Sequence, residues 1–175
     1  MAKSLNVKPS EMSLRQFLDQ FGGVYEHSPW IAEETFNKGM AQREDESSAL
    51  AAKMAEVVDS ASQEKKLKLL KAHPELVGKL AIEDKLTSDS KSEQSSAGLD
   101  KCNPEEFEKF QALNSEYSTK FGFPFIIAVK GLDRRDILKA FEDRVSNDKS
   151  QEFQTALRQV HKIARLRIET LLENT

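Results

Sequence analysis

His73 is followed at once by Pro74, and twenty positions further on Glu93 stands in the polar run Ser90-Lys91-Ser92-Glu93-Gln94-Ser95-Ser96-Ala97-Gly98. An imidazole exchanges protons near neutral pH, and a carboxylate does so where its surroundings raise its pKa. The pair points to acid and base chemistry on a small polar substrate. A residue before proline is pushed out of the helical region, so His73 is expected between a helix ending near Lys71 and a short one beginning at Pro74. The partial negative charge at the end of the first helix favours the imidazolium. The plain alternative is a histidine that only binds the last carbonyls of its helix. Glu93 also has two readings. Ser90-Lys91-Ser92-Glu93 fits a capping box, in which the glutamate folds back on the backbone amide of Ser90. Otherwise Glu93, with Gln94, Ser95 and Ser96, offers donors and acceptors to an amide-rich ligand, and Gly98 admits a close neighbour.

A third group comes from the last helix. At one hundred degrees per residue, Phe153, Leu157, Val160, Ile163, Ala164, Ile168 and Leu171 form one apolar arc, and Arg167 falls inside it. Arg165 falls on the polar side with Arg158, Lys162 and Glu169. A guanidinium aimed at a core needs an acceptor, either a buried carboxylate or a polar ligand. The stretch Phe121 to Gly131 is the most apolar of the chain. Most of it is expected to be core, but its proline and glycines leave backbone amides open to a flat heterocycle. Cys102 is the only cysteine and reads as a stray thiol. His27, His73 and His161 lie in separate segments without metal-ligand spacing, so no metal is expected.

The elements that position these groups read as helices. Apolar residues recur at three and four, with few glycines and prolines and no sustained alternation, which predicts an all-α chain of about eight helices in one domain, 1–175. Residues 1–12 are polar and read as a flexible arm. Ser13, Ser28-Pro29, Asn103-Pro104-Glu105-Glu106 and Asp133 mark helix starts, and a long last helix is expected from about Ser150. Residues 83–92 read as an exposed loop.

With 26 basic and 29 acidic side chains among 175 residues, the net charge is −3 and no block of like charge forms a footprint for nucleic acid. The longest apolar stretch is too short to span a membrane, the first residues lack a secretory core, and the last three are no peroxisomal address. A cytoplasmic protein is expected.

Taken in order, Gly23-Val24-Tyr25-Glu26-His27-Ser28-Pro29-Trp30, Ala72-His73-Pro74-Glu75-Leu76-Val77-Gly78, Ser92 to Leu99, Phe121 to Gly131 and Lys162 to Ile168 resemble the 2-oxo-4-hydroxy-4-carboxy-5-ureidoimidazoline (OHCU) decarboxylase family of uric acid degradation. The resemblance spans most of the chain. It implies a cofactor-independent carboxy-lyase that makes (S)-allantoin, acting as a homodimer. Carried over by position, the catalytic histidine falls on His73, the glutamate on Glu93 and the arginine on Arg167, with Arg165 open if the register slips by two. The substrate-binding stretches fall on Pro74, on Ser90, Lys91, Ser92, Glu93 and Gln94, and on Phe123, Pro124, Phe125, Ile126 and Ile127. Which of His73 and Glu93 is acid and which is base stays open. The rival from another class is a non-catalytic helical ligand-binding or interaction module, in which His73 and Glu93 are helix-boundary residues and Arg167 is paired internally.

Overall fold

The computed structural model describes residues 7–173. Among them are nine α-helices and three short 3-10 helices, and no strand. The all-α expectation holds. The chain divides into two compact units, one made of residues up to Ala72 together with those from His161 onward, the other running from His73 to Val160.

In the first unit, α1 (Leu14–Phe21), α2 (Pro29–Asn37), α3 (Ser47–Asp59) and α4 (Gln63–Lys71) succeed one another, with α1 packed on α2 and α2 on α3. Ser13 caps α1 in a full capping box with Gln16. Ser28 stands at the N-cap of α2, as read, but its hydroxyl donates to the Glu26 carbonyl instead of capping, and Pro29 at the first turn needs no partner for a missing N–H. Phe17, Phe21, Ile31, Leu50, Met54 and Leu70 are buried to the last atom or nearly so. Residues 1–6 of the expected arm lie outside the described residues. Within 7–12, Pro9 is buried and Ser10 donates from backbone and hydroxyl to the two carboxylate oxygens of Asp45, 2.8 Å each.

The second unit holds α5 (Lys79–Ile82), α6 (Ser88–Ser96), α7 (Pro104–Phe121) and α8 (Arg134–Val145). Asn103 and Glu106 form a capping box at the start of α7, and Gly122, at φ +79°, ends it in the left-handed conformation that costs other residues most. The core is aromatic. Tyr117 meets Phe121, Phe123, Phe125 and Phe141, and Phe125 stacks on Phe141 at 4.0 Å and 9°. Each such ring contributes roughly 1.5–3 kcal/mol by leaving water. Helix α9 (Lys149–Glu173) begins in this unit and continues into the other. None of the described helices is long and apolar enough to cross a membrane.

Two local expectations are overturned. Pro74 does not begin a helix: residues 73–78 form an irregular turn, and α5 starts only at Lys79. The loop expected over 83–92 ends at Thr87, because α6 begins at Ser88.

Candidate functional site

His73 lies just past the C-terminal end of α4, whose cap is Ala72, and is 8% exposed. The turn that follows is held unusually tightly. Val77 has φ +53°, a region that β-branched residues rarely enter and that costs of order 1–3 kcal/mol. Its two backbone groups are both taken: Gln94 Oε1 accepts from the Val77 N–H at 3.2 Å, and Gln111 Nε2 donates to its carbonyl at 2.6 Å. Gln94 Nε2 reaches the Glu75 carbonyl at 3.5 Å, and Asn114 Nδ2 donates to the Leu76 carbonyl at 2.9 Å. A methyl group on Gly78 would come within 2.6 Å of Glu75 Cβ, so the chain cannot carry a side chain there without moving. The strain is therefore held in place by neutral amides from α6 and α7.

Helix α6 sorts the second candidate stretch into two faces. Its N-cap is Thr87, whose hydroxyl accepts from the Ser90 N–H at 3.3 Å. The capping-box reading of Glu93 falls with that, since Glu93 sits inside the helix, half-buried, and not at its third position. Ser90, Gln94 and Ala97, spaced by four and three, are buried on one side. Lys91 and Ser92 are exposed, and they line, with the edge of Gln94 and with Leu86, Leu99 and Phe107, a groove of about 640 Å³. The lining of that groove includes neither His73 nor Glu93. Gln94 is thus the link: it adjoins Glu93 in sequence and fastens the turn next to His73. The close approach expected at Gly98, φ +76°, is present, since Arg134 Nη1 donates to its carbonyl at 3.0 Å and would lie 3.3 Å from an added Cβ.

The third stretch, Phe123 to Ile127, is irregular and mostly buried. Phe123 and Phe125 go to the aromatic core, as expected of the most apolar segment. Ile127 is only half-buried. Arg144 of α8 lies over the Phe125 ring at 4.4 Å and donates from Nη1 to the Ile126 carbonyl at 2.6 Å. Its Nε donates to Glu152 Oε1 at 2.6 Å, and Nη2 is as near to that oxygen but off the line of a hydrogen bond. Glu152 has no exposed surface and also accepts from the Tyr117 hydroxyl at 2.6 Å and from Asn147 Nδ2 at 3.0 Å. Burial, and then the Glu152 carboxylate, push the Tyr117 pKa well above its ordinary value, so the phenol stays a donor. On the next peptide Gln159 Oε1 accepts from the Ala128 N–H at 3.0 Å. No described residue takes the N–H groups of Phe125, Ile126 and Ile127.

Arg167 belongs to the first unit, and the helical wheel placed it correctly: it is 7% exposed, whereas Arg165 is exposed and pairs with Glu169 at 3.6 Å. Of the two acceptors foreseen, the structure shows the carboxylate. Arg167 Nη1 donates to Glu26 Oε2 at 2.8 Å, and the carbonyls of Val24 and Gly23 lie at 3.4 and 3.5 Å. Glu26 is 1% exposed, so the pair is desolvated and its orientation is fixed from both partners. Beside it the buried Tyr25 hydroxyl meets His161 Nδ1 at 2.8 Å, whose Nε2 faces Asp59 at 2.9 Å. Burial, then Asp59, raise the Tyr25 pKa.

Sequence reasoning missed Gln111, Asn114, Arg144, Glu152 and the role of Glu26. Asn114 carried a signal, since it stands in the buried stripe Phe110, Asn114, Tyr117, Phe121 of α7. Glu152, a charge buried one position before the apolar arc of α9, carried none. Cys102 keeps the stray-thiol reading: burial and then Glu106 raise its pKa, and its thiol donates to the Leu99 carbonyl at 3.3 Å.

The geometry is that of a helical protein with a constrained histidine turn braced by a glutamate-bearing helix. The family model for OHCU decarboxylase matches residues 10–169, and the chain belongs to that family. It is 46% identical to the 2-oxo-4-hydroxy-4-carboxy-5-ureidoimidazoline decarboxylase of Halalkalicoccus jeotgali, over 89% of this chain and 85% of that protein. It is 40% identical to a uric acid degradation bifunctional protein of Bacillus subtilis, over 93% of this chain but 32% of that protein. Among solved structures it resembles an (S)-allantoin synthase at 32% identity and TM-score 0.72, over 93% of this chain and 52% of the other.

Proposed function

We propose that this chain decarboxylates OHCU to (S)-allantoin, with His73 and Glu93 moving the protons. The observation that carries the reading is the Gln94 brace, which joins the helix of Glu93 to the rigid turn of His73 in a chain that matches the family along nearly its whole length. Loss of carbon dioxide leaves an electron pair, and the ring carbon–nitrogen double bond of this substrate accepts it, so no cofactor is called for. One group removes the proton of the ring hydroxyl, and the other, or the same residue later, protonates one face of the resulting carbanion equivalent, while the ring nitrogen that took the electron pair gains its proton from solvent. Delivery from a single side sets the configuration of the product. Arg167, oriented by Glu26, is assigned to an anionic or carbonyl oxygen of the ring or ureido group, where it stabilises charge that grows in the transition state. A firm grip on the departing carboxylate would instead resist the reaction.

The substrate stretches are Pro74, Ser90 to Gln94 and Phe123 to Ile127. We assign the working form to a cytosolic homodimer in one domain, without nucleic acid, on the strength of the family resemblance and the balanced charge.

The test is the chirality of allantoin formed from freshly generated OHCU, which also decays unaided and without stereochemical control. Wild-type protein yields one enantiomer. His73→Asn, folded as judged by circular dichroism, yields racemate at the enzyme-free rate; near-normal turnover by that variant overturns the assignment. Glu93→Gln asks whether the carboxylate is needed for turnover, and because Thr87 is the N-cap of α6, a lost capping box cannot account for a loss of activity.

A further inference from the structure

We infer that Arg144 and Gln159 are positioning residues that aim the backbone of Ile127 at the amide edge of the substrate and so set affinity. The inference deepens the decarboxylase reading and rests on it. A trans peptide is planar, with its C=O and N–H pointing in opposite directions. Arg144 holds the Ile126 carbonyl at 2.6 Å, so the N–H of Ile127, across the same peptide, is directed away from Arg144. Gln159 holds the Ala128 N–H at 3.0 Å, so the carbonyl of Ile127 is directed away from Gln159. Both planes flanking Ile127 are thereby fixed, and neither its N–H nor its carbonyl is taken by another described residue.

Those two groups are one donor and one acceptor, the complement of a ring amide or a ureido group, which carries an N–H beside a C=O. Buried backbone groups are rarely left unpaired, and a half-buried pair held in fixed planes is a template that a ligand or water completes. The rigidity comes from behind. Glu152 neutralises Arg144 and is itself held by Tyr117 and Asn147, and Phe125 is clamped between the guanidinium and the Phe141 ring. Neither positioning residue is placed on substrate, so losing one loosens recognition while the proton-moving groups stay intact.

The experiment uses Gln159, which is half-buried and makes the milder change, and Arg144→Lys as a second variant. Gln159→Leu removes the acceptor and is expected to raise KM about tenfold, the equivalent of one well-placed hydrogen bond, with kcat changed less than about twofold. Gln159→Glu keeps an acceptor and restores KM. Arg144→Lys keeps the charge beside Glu152, loses the second donor, and raises KM likewise. In parallel, wild-type protein labelled with nitrogen-15 is titrated with (S)-allantoin, and the amide signals of Phe125 to Ile127 are followed. If they shift while KM of Gln159→Leu stays at the wild-type value, the positioning role is overturned and the substrate-binding segment stands. If they do not shift while other amides do, segment and positioning role fall together. An equal loss of kcat in Gln159→Leu and Gln159→Glu also overturns it.

Discussion

Two segments of the second unit have backbone fixed by side chains, and they are fixed by opposite means. The turn after His73 is held by Gln94, Gln111 and Asn114, which are neutral amides, each making hydrogen bonds to backbone. The segment Phe123 to Ile127 is held at the Ile126 carbonyl by a guanidinium whose counter-charge, Glu152, is wholly buried, and an amide, that of Gln159, enters only at the N–H of Ala128. Neutral amides carry no net charge, so they can stiffen a strained turn without stranding an ion in the core if one of them is lost. An ion pair grips harder, but each ion depends on the other: remove one and a charge is stranded in the core. Amide braces fail one bond at a time, whereas the ion pair fails as a unit.

Glu152→Gln breaks the stronger grip. It leaves Arg144 without its counter-charge in a largely buried place, and the expected loss is about 3–5 kcal/mol of unfolding free energy, the range for breaking a buried pair. Urea denaturation measures it. Amide hydrogen exchange should quicken throughout α7, α8 and the start of α9, because Tyr117, Arg144 and Asn147 all lose the same partner. A loss below about 1 kcal/mol would mean that Arg144 and Glu152 do not depend on one another as a buried pair.

Gln94→Met tests the amide side of the contrast. Methionine matches the length of glutamine but leaves the Val77 N–H and Glu75 carbonyl without their partner, at about 1–3 kcal/mol for a buried unpaired group. Exchange should quicken at Val77 and its neighbours while the amides around Phe125 keep their wild-type rates. If exchange rose equally in both segments, they would belong to one cooperative unit and the contrast would fail.

The same contrast explains what the sequence made legible. Helix starts were readable where the capping chemistry is local, as at Ser13, Asn103 and Asp133. Arg167 was readable as buried because periodicity reports which face a residue occupies. Two starts were misread where local signals compete. Pro74 suits a first helical position, but the left-handed Val77 and the crowded Gly78 delay the helix to Lys79. Thr87 and Ser90 are both fit to cap, and the helix begins from Thr87, which puts Ser90, Gln94 and Ala97 together in the core. Partners across long separations left no trace in spacing: Glu26 lies 141 positions from Arg167, and Gln111 lies 34 from Val77. The resemblance supplied the candidate residues, and only the fold shows what holds them.

The smallest effect expected concerns the cap of α8, the helix that carries Arg144. The Asp133 carboxylate accepts from the N–H groups of Asp136 and Arg135, 2.9 Å each, and these bonds, that from Asp136 foremost, hold its pKa below the usual aspartate value. A depressed folded pKa means that the carboxylate contributes stability above the unfolded value, about 3.9, and loses that contribution as the pH falls through the folded one. Asparagine at this position keeps the cap but carries no charge, so the stability difference between wild type and Asp133→Asn should be constant above about pH 5 and shrink as the pH drops below about 4. Because Asp133 is exposed, the difference should also narrow in high salt. Urea midpoints of the two proteins, compared at several pH values, measure it. A difference that grew on acidification would mean that the charge opposes the cap, and the electrostatic hold on this end of α8 would have to be sought in another group.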